Sequence, residues 1–299
     1  MDPVSPSTKA GFQKEWERFG YAMVSPGMVF LIAVTTLPLV SLLVMSFFRI
    51  DLTSPMDNGW TGFENYAEIL KDNRFWHSIR LTVIYTAITV VLQVVIGLAL
   101  AMAFFKGFRG QGAMRVSVLL PMILAPVVVG LSWRTLILTP EYGILDYLSI
   151  LMGLGSKPWL VHPSWALVSV ILIHTWQWTP FAFLVFLASL NAMPQEPLEA
   201  ALLDTRSSWQ RFRFVILPMI RPAVYIVIII RTMVALRAFA AIFSATGGGP
   251  GTATEILNLY AYRVSFNSLN LGYGAALGTL LLLITLGVSM VFFRMRKAN

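Results

Sequence analysis

Few residues in this chain have the chemistry to act on a solute, and those few are set within apolar sequence. His174, Gln177, Trp178 and Phe181 fall at i, i+3, i+4 and i+7, one face of a helix, inside the apolar run 163–190. Imidazole and amide groups exchange hydrogen bonds, and polar groups inside a membrane are expensive without a role. Arg231 and Arg237 interrupt a second apolar run, 222–245. An ionised guanidinium at such a place costs at least about 2.5–3.5 kcal/mol unless paired or hydrated. Arg237 is followed by Phe239, Ala240 and Ala241 and has no acid near it on its own helix. The segment 199–222 is different in kind, a charged amphipathic stretch between two apolar spans. Several chemistries are excluded. There is no Cys, so no disulfide, thiolate metal site or Cys nucleophile. His77, His162 and His174 show no metal-ligand spacing and no nucleophile–base pair. No Lys is followed by Ser or Thr, which rules out GxxxxGK[ST] and nucleotide hydrolysis by this chain.

The elements that must hold these residues are membrane helices. Of 299 residues 57% are hydrophobic and 12% charged, with a mean hydropathy of +0.73; soluble domains carry about 25% charged residues. A bilayer core about 30 Å thick takes roughly 20 apolar residues. The runs 28–48, 81–105, 163–190 and 271–293 qualify, 116–133 is short, and 222–245 qualifies apart from its two arginines. The expectation is an all-α integral membrane protein of about six transmembrane helices. The net charge of +8 lies mostly in the loops that a cytoplasmic N-terminus would place inside, which suits a membrane topology and not nucleic acid. Both termini are then expected in the cytoplasm. Residues 1–20 read as a cytoplasmic tail and 21–299 as the transmembrane domain. In the tail 1–9 is Pro/Ser-rich and reads as disordered, while Phe12, Trp16 and Phe19 beside Lys14 and Arg18 suggest an interfacial helix. A frayed tail with chance aromatics fits equally.

The charged stretch keeps Glu199, Ala200, Ala201, Asp204, Phe212, Ile216, Leu217, Pro218 and Pro222, and has Thr205 where a Gly would complete the pattern. It resembles the cytoplasmic EAA loop of binding-protein-dependent ABC importers. Phe63-Glu64-Asn65-Tyr66, Phe75-Trp76 and Thr246-Gly247-Gly248-Gly249-Pro250 resemble features of carbohydrate permeases of the maltose-transporter type, in the same order. The likeness runs from the first span to Tyr273.

The resemblance implies that segment 195–218 is a helix-turn-helix coupling loop, with Glu199, Ala200, Ala201, Asp204, Thr205 and Phe212 engaging a separate ATPase. Its local signals agree. Pro197 suits a first helical turn, Leu198, Ala201 and Leu202 form an apolar face, and Ser207 or Ser208 can cap a second helix that Pro218 would end. The resemblance further implies sugar contacts at His174, Gln177, Trp178, Phe181 and Arg237, with aromatic faces stacking on sugar rings. The partners it implies are a second homologous permease, two ATP-binding cassette subunits carrying ATP and Mg, an extracytoplasmic solute-binding protein, a saccharide and membrane lipid. No cofactor is expected in this chain. The unpaired Arg237 favours an acidic, uronate-containing oligosaccharide. A membrane scaffold recruiting a cytoplasmic partner and an ATP-independent facilitator are the alternatives.

Overall fold

Apolar runs long enough to cross a bilayer dictate the architecture, and glycines and prolines decide where it breaks. A computed structural model describes residues 6–204 and 207–297. In chain order come α1 (Pro6–Met45), the two-residue strands β1 (Phe48–Arg49) and β2 (Gly59–Trp60), α2 (Glu64–Lys71) and α3 (Asn73–Phe105). Then follow α4 (Gln111–Ile123), α5 (Pro126–Ser132), α6 (Ile144–Leu151) and α7 (Pro163–Asn191). The chain continues with α8 (Gln195–Asp204), α9 (Ser208–Arg211), α10 (Leu217–Leu236), α11 (Ala240–Thr246), α12 (Leu257–Tyr262) and α13 (Leu271–Lys297). β1 and β2 pair antiparallel, Phe48 opposite Trp60.

Among the described residues five helices are long and apolar enough to cross a membrane, and they number six if the bent pair Gln111–Ile123 with Pro126–Ile137, broken by 100°, counts as one span. The break has a local cause. Pro126 has no N–H to donate and disfavours helical backbone at the residue before it, and Leu124 and Ala125 are both extended. Other boundaries differ from the sequence expectation. The first span starts upstream, at Arg18, within a helix that begins at Pro6 and passes residue 20 unbroken. The fifth span ends at Leu236, well short of 245, and α11 resumes after an irregular Phe239. Nor does Pro218 end the second loop helix. α9 runs through a widened turn, Phe212–Ile216, straight into α10. There the Leu217 N–H reaches Phe212 O, five residues back, and this slack absorbs the donor that Pro218 lacks.

The centre of the bundle is the contact of α3 with α7. A Cβ on Gly97 would lie 2.6 Å from Ala182 Cβ and 3.0 Å from the Phe183 backbone nitrogen. Only glycine permits that approach. Below it Phe104 meets Phe183 edge-on, with centroids 5.0 Å apart. Ile220, Ala223 and Val227 of α10 close the same cluster. α1, by contrast, is largely exposed, and none of its most apolar window is buried within the chain.

Hydrogen bonds clamp the end of the bundle that carries α2, α6 and α12. Asn65 donates to the carbonyls of Ser46 and Phe48, each at 2.9 Å, and Tyr66 Oη bonds Ser46 Oγ at 2.6 Å. This is the physical content of the Phe63-Glu64-Asn65-Tyr66 segment: it ties α2 back to the end of α1. Glu255 is fully buried and accepts from Arg74 Nε and Nη2, both at 2.9 Å, and from Arg263. Arg263 also donates to Gly247 O. Gly248 sits in this turn at φ 97°, where any side chain would be strained and would also meet Leu259 and Arg263.

Asp146 organises the neighbouring loop. Its carboxylate, fully buried, accepts from the backbone N–H of Glu141 (2.7 Å) and Lys157 (2.8 Å), from Ser156 Oγ (2.6 Å) and from Trp159 Nε1 (2.8 Å). Burial pushes its pKa up, but the Lys157, Ser156, Glu141 and Trp159 donors outweigh that and hold it at about 2, below the ordinary 3.8. A depressed carboxylate pKa contributes stability above the unfolded value and loses it as pH falls toward the folded one. Asp146→Asn turns an amide donor toward groups that can only donate, and should cost about 2–3 kcal/mol. The melting-temperature gap between wild type and Asp146→Asn in detergent should be flat from pH 7 to 5 and shrink below about pH 4. A pH-independent gap would remove the carboxylate's charge from the account.

Candidate functional site

The two broken spans meet, and a cavity lies where they do. Its volume is about 260 Å³, and its walls include Tyr85 of α3, Pro126 of α5, His174, Gln177 and Trp178 of α7, and Arg237, Ala238 and Phe239 at the end of α10. The short helices α5 and α11 that follow each break pack closely. A Cβ on Gly130 would come within 2.4 Å of Ala241 O and 2.0 Å of Ser244 Oγ. The carbonyls freed by the breaks are used. Leu124 O accepts from Gln177 Nε2 at 3.2 Å, and the carbonyls of Arg237 and Ala238 accept from Asn258 Nδ2 at 3.2 and 3.4 Å. Interrupted helices inside a membrane protein are tolerated where neighbours satisfy the exposed backbone.

Four of the five residues expected to meet a solute thus surround one space: His174, Gln177, Trp178 and Arg237. Gln177 is 1% exposed, and its Oε1 has no partner among the described residues. The buried hydroxyl of Tyr85 is unpartnered as well. Arg237 is exposed, its Nε donating only to Met233 O at 3.2 Å. Phe181 is placed differently. It is not among the residues lining the cavity; its ring faces Arg231, with the guanidinium carbon 6.0 Å from the centroid. Trp178 shares that role, its ring 4.6 Å from the same carbon.

Arg231 is the unexpected member. It is 1% exposed, and among the described residues the ion pairs involve Arg49, Arg74 and Arg263, not Arg231. Its charge is held by two aromatic faces and by one strong hydrogen bond, Nε to Gln93 Oε1 at 2.7 Å. Gln93 Nε2 in turn lies 3.2 Å from His174 Nδ1 and 3.2 Å from His174 O. Gln93 was not singled out from the sequence, although a signal exists. Ser78, Thr82, Tyr85, Thr86, Thr89 and Gln93 make a polar stripe at helical spacing along α3, and every one is buried.

The coupling-loop residues lie at the opposite end. Glu199 and Ala200 of α8 are exposed, Ala201 is buried, and Leu198 packs on the α3–α7–α10 cluster. Leu202, expected on the apolar face with them, is instead exposed. Ser207 caps α9 by accepting from the N–H groups of Trp209 and Gln210, as the sequence suggests. Phe212 packs against the central cluster while its stacking neighbour Trp209 stays exposed. Asp204 is the last residue of α8, and Thr205 lies outside the described residues. A hollow of about 210 Å³ separates this loop from the end of α3, between Leu198, Arg211 and Ile216 on one side and Met102, Phe105 and Lys106 on the other.

The chain is similar to known membrane transport proteins. The family described as binding-protein-dependent transport system inner membrane component matches residues 93–297. The trehalose/maltose transport system permease protein MalF of Thermococcus litoralis is 31% identical over 280 residues, 94% of this chain and 94% of that protein. The sulfoquinovosyl glycerol transport system permease protein SmoG of Agrobacterium fabrum is 33% identical over 277 residues, 93% of this chain and 90% of that protein. Among solved structures, a chain of a bacterial ABC transporter that imports the acidic polysaccharide alginate superposes with a TM-score of 0.80 at 20% identity, covering 98% of this chain and 99% of that one. With its broken spans, its coupling-type loop and relatives matching over nearly its whole length, the chain belongs to the binding-protein-dependent transport system inner membrane component family and is the membrane permease subunit of a sugar ABC importer.

Proposed function

We propose that this permease carries an acidic saccharide, and that Arg237 is the group that receives its carboxylate. The observation behind this reading is the make-up of the cavity wall: Arg237 opens onto it, no Asp or Glu among the described residues lines it, and Arg231 stands buried behind Trp178. A neutral sugar offers a guanidinium only hydrogen bonds, whereas a uronate offers a bidentate, charge-assisted pair. Names of relatives do not decide the matter. At similar identity one is named for trehalose and maltose and another for sulfoquinovosyl glycerol.

At about 260 Å³ the cavity is below the roughly 300–1,000 Å³ of a complete ligand site. A second, homologous permease would supply the facing wall, and the bare apolar surface of α1 would lie against lipid or that partner. A solute-binding protein would deliver the saccharide at the α2–α6 end. Two ATPase subunits, holding ATP and Mg, would dock at α8 through the exposed Glu199 and Ala200, on the cytoplasmic side with both termini. The drive reaches the cavity along one continuous element. Ser208–Leu236 is a single run of 29 helical residues, about 43 Å long at 1.5 Å per residue. It begins beside the docking loop and ends at Arg237.

Two measurements test this. In the reconstituted importer, Arg237→Gln should lower uptake of trigalacturonate at least tenfold, Arg237→Lys much less, and uptake of maltotriose should be weak in all three. Equal uptake of both sugars by wild type, unchanged in Arg237→Gln, would make Arg237 structural. Glu199→Lys should leave insertion intact and abolish solute-stimulated ATP hydrolysis, since reversing a charge at a desolvated joint costs about 2–5 kcal/mol. Normal stimulation in that variant would favour a facilitator or scaffold.

A further inference from the structure

We infer that Gln93 and Arg231 are positioning residues that present His174 to the transported saccharide as a hydrogen-bond donor, with Gln177 beside it as the matching acceptor. The inference deepens the reading above and rests on its assignment of the cavity to the saccharide.

The polarity follows from groups that cannot be reversed. A guanidinium only donates. Arg231 Nε lies 2.7 Å from the Gln93 carboxamide, so the oxygen of that carboxamide must face it, because the amide nitrogen there would set donor against donor. The Gln93 NH₂ is thereby turned to the other side, 3.2 Å from His174 Nδ1 and 3.2 Å from His174 O. A carbonyl oxygen accepts, which agrees. Nδ1 must then accept too, and in an imidazole that accepts at Nδ1 the proton resides on Nε2. Nε2 has no protein partner among the described hydrogen bonds, and His174 lines the cavity. An imidazolium is excluded by the same geometry, since a proton on Nδ1 would point at the Gln93 NH₂.

Gln177 is fixed by an equivalent constraint. Its Nε2 donates to Leu124 O, a carbonyl that the break before Pro126 leaves available. Its Oε1 is therefore an acceptor, buried and without a partner. Three residues along α7 from His174, it lies on the same helical face. The pair asks for a ligand with an acceptor oxygen opposite His174 and a hydroxyl opposite Gln177. A buried amide left unsatisfied by a deoxy or O-methyl analogue would discriminate strongly against that analogue.

The test uses the importer assembled in lipid nanodiscs from unlabelled partner subunits and this chain alone labelled with ¹⁵N-histidine, His77 and His162 being replaced by Gln so that His174 is the one label. The expected spectrum at pH 7 has a pyridine-type Nδ1 and a pyrrole-type Nε2. Gln93→Glu offers only acceptors to both neighbours, so Nδ1 should become protonated. A wild-type spectrum with pyrrole-type Nδ1, or one unchanged in Gln93→Glu, overturns the proposal. A second readout separates positioning from packing. Gln93→Glu and His174→Phe should each lower uptake of trigalacturonate, or of maltotriose if that is the sugar wild type takes up, about tenfold, and the double variant should lose no more than either alone. Multiplied losses would mean that Gln93 acts independently of His174, which also overturns it. Failure of the acidic-sugar reading appears elsewhere, as equal uptake of trigalacturonate and maltotriose, and leaves the ¹⁵N result standing.

Discussion

A guanidinium buried without an acid is the constraint around which the middle of this protein is arranged. Arg231 cannot give up its proton, and no carboxylate among the described residues reaches it. The surrounding helices accommodate it in the ways left open. Trp178 and Phe181 turn ring faces to it, and Gln93 turns its carbonyl. Those commitments propagate: once Gln93 faces Arg231, its other end must face His174. Aromatic residues that would suit a sugar ring are already partly occupied by a cation of the chain itself. Seen this way, Trp178 is shared between a structural charge on one side and the cavity on the other.

The breaks in the spans matter as much as the spans. An unbroken helix keeps its backbone to itself, so a cavity between intact helices would be walled by side chains alone. Here Pro126 and the irregular backbone at Phe239 release carbonyls at the depth of the cavity, and Gln177 and Asn258 are recruited to them. Polar side chains are thereby oriented within an otherwise apolar setting.

Much of the architecture could be read from residue order. Length and hydropathy were enough for about six spans, and the Glu199–Asp204 segment located α8. The face formed by His174, Gln177 and Trp178 followed from a period of 3.6. What could not be read were pairings between distant helices. Phe181 shares that face but meets Arg231, and nothing near it in the chain announces a cation 50 positions away. The interrupted span was hidden because Pro121 and Pro126 both sit in a uniformly apolar run, and only one of them breaks it. Gln93 was inconspicuous for a related reason: a single amide in a long apolar helix has no meaning until its neighbours are known. Local rules reported local structure faithfully, and the site is built from contacts that are not local.

The contact at Gly130 has a mechanical consequence. With a hydrogen in place of a side chain, α5 lies so close to α11 that neither can slide past the other without collision against Ala241 or Ser244. The two short helices therefore pack as one leaf, bounded by the breaks at Leu124–Ala125 and at Ala238–Phe239. Two elements locked in this way can only be displaced together, which ties one break to the other. A conduit built from two independent flaps passes through states in which one is open while the other has yet to respond, and such states leak ions. A pair locked through one glycine has no such state available to it.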